Sequence, residues 1–459
     1  MTGRLLLVSP SDVLGSPNAR THHVARHLAA RFREISVISR ALVAQRMDWS
    51  ALFRVRTVLR KEGTISWISV NPWGHVRDGL GMHLLGLANP FSTPRGGIRR
   101  LLRRILNPLG ALLEFAVLPS LAVAYARRVG GQVDLVIAEG PWEGLMGLLL
   151  RRLGRAAAVV YDDMDYAPGF LPINGLRRRL IASLEAVAIR RADAVICVGE
   201  RLARLRAAQG VRRVHVLPNG VDLERFRAAA EMRQAASPRP PTLIYTGYLG
   251  AWAGVDLVLE AAALAVRRLP DLRLILLGHG SPLELGALRD GIARRNLERA
   301  VEFRGQVPYS ELPRHLGEAD VGLAMSRPLD VRRYAFPLKV VEYMAAGLPV
   351  LTTADTEAAD LVERASAGTA VPFDAAAVAS AAADLLEDPV RHHRLAENAR
   401  AFSRAYDWQG LMETYHAVVR ETLESRSGPA RPGVRGAASA PQPGAAPGVA
   451  PPPPALRRE

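Results

Sequence analysis

The chain has 459 residues, 49% of them hydrophobic, which is enough for two domains that each bury their own core. Its single cysteine, Cys197, excludes a disulfide framework and a cysteine-based metal site and points to a reducing compartment. The formal charge of +16 draws the protein toward anions; this is either a functional footprint or background composition, since all basic residues but Lys61 and Lys339 are arginine.

Met1-Thr2-Gly3-Arg4 leads into Leu5-Leu6-Leu7-Val8, a strand-like run too short for a signal-peptide core, so no secretion signal is expected. Gly15-Ser16-Pro17-Asn18 then leads into a helix bearing Arg20, Thr21, His22 and His23. Gly15 and Asn18 either line an acceptor-side cleft or simply connect. His23 and His27 lie one helical turn apart without a flanking glutamate pattern, and no metal site is expected. The next strand spans Ile35 to Ile38.

From Arg95 to Arg128 the pattern changes. Arg99, Arg100, Arg103 and Arg104 alternate at helical period with Ile98, Leu101, Leu102, Ile105 and Leu106. This suits either an interfacial helix on anionic lipid or an ordinary domain helix with a basic solvent face. Asn107 to Ala126 is almost uncharged, but Glu114 and Pro119 argue against a span, so peripheral membrane contact is the expectation.

Strands at Val133 to Ala138, Ala157 to Tyr161, Ala194 to Val198 and His215 to Leu217 alternate with helical stretches, as in a parallel α/β domain. A polar, proline-rich connection from Glu231 to Pro241 precedes a second series: Thr242 to Thr246, Arg273 to Leu277, Ala300 to Phe303, Val321 to Ala324 and Val350 to Thr352. The expected division is 1–215, 216–400, returning helices over 401–424 that pack back on the first domain, and a disordered Pro/Ala/Gly/Arg tail over 425–459. Helices are read at Ala375 to Leu386, Pro389 to Arg404 and Leu411 to Leu423.

Pro337-Leu338-Lys339-Val340-Val341-Glu342-Tyr343-Met344-Ala345-Ala346-Gly347 reads as a helix opened by proline and closed by a left-handed glycine. A lysine in its first turn opposes the helix dipole by about 0.3 to 1 kcal/mol unless an anion sits beside it. Lys339 therefore marks either an anion site or an i,i+3 pair with Glu342 worth a few tenths of a kcal/mol.

With Leu217-Pro218-Asn219-Gly220-Val221-Asp222, the glycine-ended strands Thr246-Gly247-Tyr248-Leu249-Gly250 and Leu277-Gly278-His279-Gly280, and the Lys339 helix, the chain resembles the retaining glycosyltransferases of family 4. The resemblance runs from Leu5 to about Leu423 and is strongest from Glu185 to Pro349. It implies a GT-B fold, two Rossmann-like domains facing across a cleft, and metal-independent transfer from a nucleotide-diphosphate sugar with retention. It puts Glu342 on the donor ribose, lets Gly247, Gly250, Gly278 and Gly280 bring backbone to the nucleotide, and turns the start of the helix, with Phe336 and Leu338, toward the diphosphate. Glu139 stands where the family often places a histidine, which implies a contact with sugar or acceptor; Lys339, Glu342 and Glu139 are the catalytic candidates.

Departures from the family pattern matter. Tyr334 replaces the first of two glutamates, Pro337 replaces a glycine, and Tyr248 and Ala253 occupy positions that often carry cations. Lys339, Arg332 and Arg333 are the expected replacements. Asp162-Asp163-Met164-Asp165 resembles the metal motif of GT-A transferases, but a complete donor half lies downstream, so Asp162 and Asp165 are read as cleft-lining or structural. The expected setting is cytoplasmic or peripheral at the inner membrane face, with a nucleotide-sugar donor, a lipid-linked or polysaccharide acceptor and no nucleic acid. A GT-B epimerase, a phosphorylase and a degenerate binding protein are the alternatives.

Overall fold

Two parallel sheets account for the alternating apolar runs. A computed structural model describes residues 3–11, 20–40, 56–71, 117–170, 175–235, 239–250 and 253–427. The expectations placed on Gly15, Asn18, the Ile98 to Leu106 stretch and residues 428–459 of the tail lie outside these residues, and the tail's expected start is corrected, since residues 425–427 close a helix, Trp408–Ser427. The first sheet contains β1 (Arg4–Ser9), β2 (Glu34–Arg40), β3 (Arg56–Glu62), β4 (Ile65–Asn71), β5 (Val133–Ala138), β6 (Ala156–Asp163), β7 (Ala194–Cys197) and β8 (Val214–Val216). Its order is β3-β4-β2-β1-β5-β6-β7-β8, parallel except for the β3–β4 pair. The antiparallel β3 and its partner β4 were not expected from the sequence. Arg60-Lys61-Glu62 in β3 carries charge instead of an apolar run, and at a sheet edge such residues are tolerated.

The second sheet contains β9 (Thr242–Tyr248), β10 (Arg273–His279), β11 (Val301–Gly305), β12 (Val321–Ala324), β13 (Val350–Thr353) and β14 (Gly368–Val371), all parallel, in the order β11-β10-β9-β12-β13-β14. The strand order reverses direction between β9 and β12, as it does between β1 and β5 in the first sheet. In doubly wound sheets ligands bind in the crevice beyond the strand ends at such a point. Helices cover both faces, which is why strands such as Leu5–Val8 are apolar without alternation.

The proline-rich connection needs correction: a helix, Leu223–Ala235, extends into it. The crossover from first to second domain is instead built on Pro218 to Asp222. Val221 pairs with Asp407, and the Val221 N–H donates to the Tyr406 carbonyl at 2.8 Å, so outgoing and returning chain run side by side. A side chain at Gly220 would press on the Tyr406 carbonyl and the Trp408 ring, so close packing of the two crossings requires glycine there. The helix Trp408–Ser427 then buries Met412, Tyr415, Val418 and Val419 in the core beneath β1, β2 and β5. Helix Val117–Arg128 buries Val117, Leu121, Ala124 and Tyr125. Among the described residues no helix is long and apolar enough to cross a membrane.

Candidate functional site

The ends of β9 and β12 and the approach to the helix Leu338–Ala345 enclose a cavity of about 210 Å³. Gly247 and Tyr248 form one wall, Met325 and Ser326 another, and Arg332, Phe336, Pro337, Leu338 and Lys339 a third. Among the described residues no carboxylate lines it. The helix is placed by its own ends: Pro337 is the N-cap, one residue earlier than the helical position expected, and Gly347 at φ 71 lets the Leu348 N–H reach the Tyr343 carbonyl at 2.8 Å. Its interior is anchored by Tyr343, whose hydroxyl accepts from the Thr246 N–H at 2.9 Å and so fixes the helix against β9.

Lys339 reaches back over β9, its Nζ 4.1 Å from the Tyr245 ring centroid. A Cβ on Gly247, which has φ 117, would lie 3.2 Å from that nitrogen, so glycine leaves room for the ammonium. Removal from water, with the like charge of Arg332 beside it, lowers the Lys339 pKa to about 7, and Glu342 opposes the shift. Arg332 is half-buried on the same wall, and desolvation lowers its pKa as well. Two cations thus converge on one wall of the cavity, with Asp165 acting on Arg332 and Glu342 on Lys339 from outside the lining, an arrangement suited to an anion.

Glu342 is 6% exposed, and burial pushes its carboxyl up to about 7 against a hydrogen bond from Tyr309 and the charge of Lys339. Glu342 and Lys339 favour each other's charged form, so the i,i+3 relation and the place of the lysine on the cavity wall coexist. The carboxyl lies behind the cavity wall, in contact with Tyr309, whose ring meets Phe226 edge-on at 6.1 Å and carries the Arg225 guanidinium at 5.5 Å.

Other expected donor residues divide. Tyr248 and Phe336 line the cavity; the Tyr248 hydroxyl donates to Glu284, and Phe336 stacks on Tyr406 at 6.1 Å. Gly278, at φ 144, has no room for a side chain because a Cβ would overlap the Gly247 carbonyl. Gly250 packs against Glu284, while a Cβ on Gly280 would lie 3.3 Å from Leu285 Cδ2, so that side chain would have to give slightly; neither glycine lines the cavity. Arg333 is corrected: it is exposed and held by Asp355 at 2.6 Å. Tyr334 also points elsewhere, meeting Tyr166 of the first domain edge-on at 5.3 Å.

On the first domain, Glu139 follows β5 at the reversal of strand order but is only 2% exposed. Ser9 Oγ donates to it at 2.5 Å and Thr21 Oγ1 at 2.8 Å; burial, with the nearby Asp162 charge, raises its pKa to about 7. It is held inside the protein rather than presented to a substrate. Asp162 is likewise structural: wholly buried, it accepts from Arg20 Nε at 3.0 Å and from the Tyr415 hydroxyl at 2.9 Å, fastening the returning helix. Asp163 pairs with the buried Arg206, which also binds Glu185 at 2.8 Å. Asp165 is exposed, and the charge of Arg332 favours its ionised form. Among the described residues no group of three or more His, Cys, Asp or Glu side chains is placed to hold a metal. Sequence reasoning missed Tyr245 and Tyr309. The first was detectable from its place in the strand at the reversal point; the second carries no local signal.

Residues 18–225 match the family model described as Glycosyltransferase Family 4, and residues 240–388 the model described as Glycosyl transferases group 1. A phosphatidyl-myo-inositol mannosyltransferase of Mycobacterium tuberculosis is 31% identical over 215 residues, 44% of this chain and 54% of that protein, so the matched region spans about half the length of this relative. A GDP-mannose-dependent alpha-(1-6)-phosphatidylinositol monomannoside mannosyltransferase of Mycolicibacterium smegmatis is 30% identical over 322 residues, 65% of this chain and 79% of that protein. The solved structure of sucrose-phosphate synthase from Thermosynechococcus elongatus superposes with a TM-score of 0.67 at 18% identity, covering 92% of this chain and 100% of the other.

Proposed function

Because the chain belongs to the family 4 glycosyltransferases and has their GT-B fold, we propose that it transfers a sugar from a nucleotide-diphosphate donor to an acceptor with retained anomeric configuration. The observation that carries this reading is the pairing of Lys339 and Arg332 on the wall of a cavity that, among the described residues, no carboxylate lines, beyond the ends of β9 and β12. The donor diphosphate sits between these cations and the start of the helix Leu338–Ala345, with Gly247 giving it backbone access. We assign the donor side to residues 216–400 and the acceptor side to 1–215.

Transfer breaks the bond from the anomeric carbon to the diphosphate oxygen and forms one to an acceptor hydroxyl on the same face. The hydroxyl proton leaves with the departing diphosphate. Charge builds on the diphosphate as the sugar becomes oxocarbenium-like, so a preorganised pair of cations and helix amides contributes most at that moment. Lys339 can then be charged in the complex although its pKa in the empty site is about 7, because the diphosphate restores the protonated form. These groups supply the neutralisation a divalent ion would otherwise provide, and transfer is expected to persist in chelator. Glu342 is proposed for the ribose hydroxyls, after displacement of Tyr309.

The relatives named as acting on phosphatidylinositol and its mannoside support a lipid-linked acceptor. Incubation with a panel of sugar nucleotides, including GDP-mannose and UDP-glucose, with mass measurement of products tests the reading. Neither donor hydrolysis nor transfer across the panel overturns it in favour of a binding protein; release of an epimerised free sugar would favour the epimerase alternative.

A further inference from the structure

The cavity segment that carries Arg332 is held from the opposite domain. Arg332 lies in the helix Asp330–Tyr334, which is five residues long and whose N-cap, Leu329, has no side-chain hydrogen bond. A helix that short does not persist on its own hydrogen bonds, so its position is imposed by what it packs against. Several of those contacts come from the first domain. Asp330 accepts from Arg178 at 2.8 Å, and Arg178 is also hydrogen-bonded to Tyr166. Tyr166 meets the Tyr334 ring edge-on at 5.3 Å. Between these contacts Gly169 lies so close that a Cβ there would come within 2.8 Å of the Val331 backbone nitrogen and 2.9 Å of its Cα. Val331 is the buried residue of the helix, 2% exposed. On its own domain's side Arg333 is tied to Asp355 at 2.6 Å. Arg332 is thus set in a segment clamped front and back, within two residues of the three that the first domain grips.

We propose that Arg178, Tyr166 and Gly169 are positioning residues for the donor site: docking of the first domain onto Asp330, Val331 and Tyr334 places Arg332 on the cavity wall. The inference rests on the diphosphate reading of that cavity. None of the three lines the cavity, so their effect on a ligand there passes through the segment. Such coupling is reciprocal: if first-domain contacts strengthen anion binding, an anion in the cavity must strengthen the first-domain contacts by the same factor. The chain also explains its own departure from the family. Tyr334, in place of a glutamate, serves as the ring that the first domain holds.

The test combines hydrogen exchange with binding of GDP and UDP as probes. In Arg178→Ala, exchange over residues 329–336 is expected to accelerate at least severalfold with the rest of the second domain unchanged; unchanged exchange there overturns the proposal whether or not a nucleotide binds. Gly169→Ala, which adds one methyl against the Val331 backbone, gives a second route to the same displacement. Both substitutions should weaken GDP or UDP binding about tenfold, within the usual range of site-to-site coupling. Exchanging the charges, Arg178→Asp with Asp330→Arg, should restore it. In the unsubstituted protein the bound nucleotide should slow exchange around Tyr166, and Arg332→Ala should abolish that slowing. Binding within twofold of the unsubstituted protein in both single variants overturns the coupling. Should neither nucleotide bind the unsubstituted protein, the diphosphate reading fails, and the exchange of residues 329–336 alone decides the positioning.

Discussion

Lys339 Nζ lies 4.1 Å from the centroid of the Tyr245 ring, so a half-buried lysine in the first turn of a helix is held over an aromatic face and beside Arg332 on the cavity wall. The ring offsets part of the desolvation, and the like charge of Arg332 on the same wall adds a repulsion that a bound anion would relieve. The consequences can be measured.

Lys339→Met keeps the length of the stem and removes the charge. It is expected to lower kcat/KM for the donor by about 10² to 10³, the usual loss when one preorganised group that stabilises developing charge is removed. Steady-state kinetics with the best donor of the panel would check it; a change below threefold removes Lys339 from the site.

Donor affinity should depend on pH through the same residue. With its pKa at about 7 in the empty site, Lys339 is charged below that and neutral above it, while Glu342 gains charge over the same range. Affinity is therefore greatest below about pH 7 and falls above it, by at most about tenfold per unit for each coupled proton. Titration calorimetry between pH 6 and 9 measures the slope, and Lys339→Met should remove the lysine's share.

Stability responds to Glu342 in a definite direction. Its folded pKa of about 7 exceeds the ordinary 4.5, so between those values the native state holds a proton that the unfolded chain has released. Stability from this group is full below pH 4.5 and is lost as pH rises through 7. Glu342→Gln, which keeps the shape, should therefore raise the melting temperature at pH 8 more than at pH 5, while weakening donor binding. Paired melting curves at the two pH values show this; a melting temperature that falls at pH 8 contradicts the assignment.

Asp162→Asn tests whether the acidic cluster serves a metal or the fold. Arg20 is 2% exposed and would be left without its carboxylate, a loss of about 3 to 5 kcal/mol for a broken buried pair. A large drop in melting temperature with transfer still insensitive to chelator is expected. Loss of transfer in chelator with recovery on manganese would reverse this view.

Gly278→Ala meets two obstacles at once. At φ 144 an alanine is strained by about 1 to 3 kcal/mol, and its Cβ would overlap the Gly247 carbonyl, forcing β9 and β10 apart at the mouth of the cavity. Donor binding and melting temperature should both fall, whereas Gly280→Ala, which meets only the end of the Leu285 side chain at 3.3 Å, should cost much less.

Local pattern was enough for some of this protein. The apolar runs at Leu5 to Val8 and Thr242 to Thr246 specify buried parallel strands because a strand covered on both faces must be apolar throughout, and Gly347 marks a helix end because only glycine enters the left-handed region without strain. Lys339 stood out for the same local reason, a cation against a helix dipole. The edge strand β3 escaped because its charged face resembles a loop, and β14 because Gly368–Val371 is short. Tertiary structure decided which side chains share a site. Arg332 and Arg333 are neighbours in sequence, yet one lines the cavity and the other pairs with Asp355; Tyr334 turns to the opposite domain; Glu139 and Asp162 are sealed beneath hydroxyls and an arginine. Residue type and spacing fix a side chain's chemistry, but its direction and partners come from how two sheets dock, and that depends on contacts such as Asp330 to Arg178, 152 residues apart along the chain.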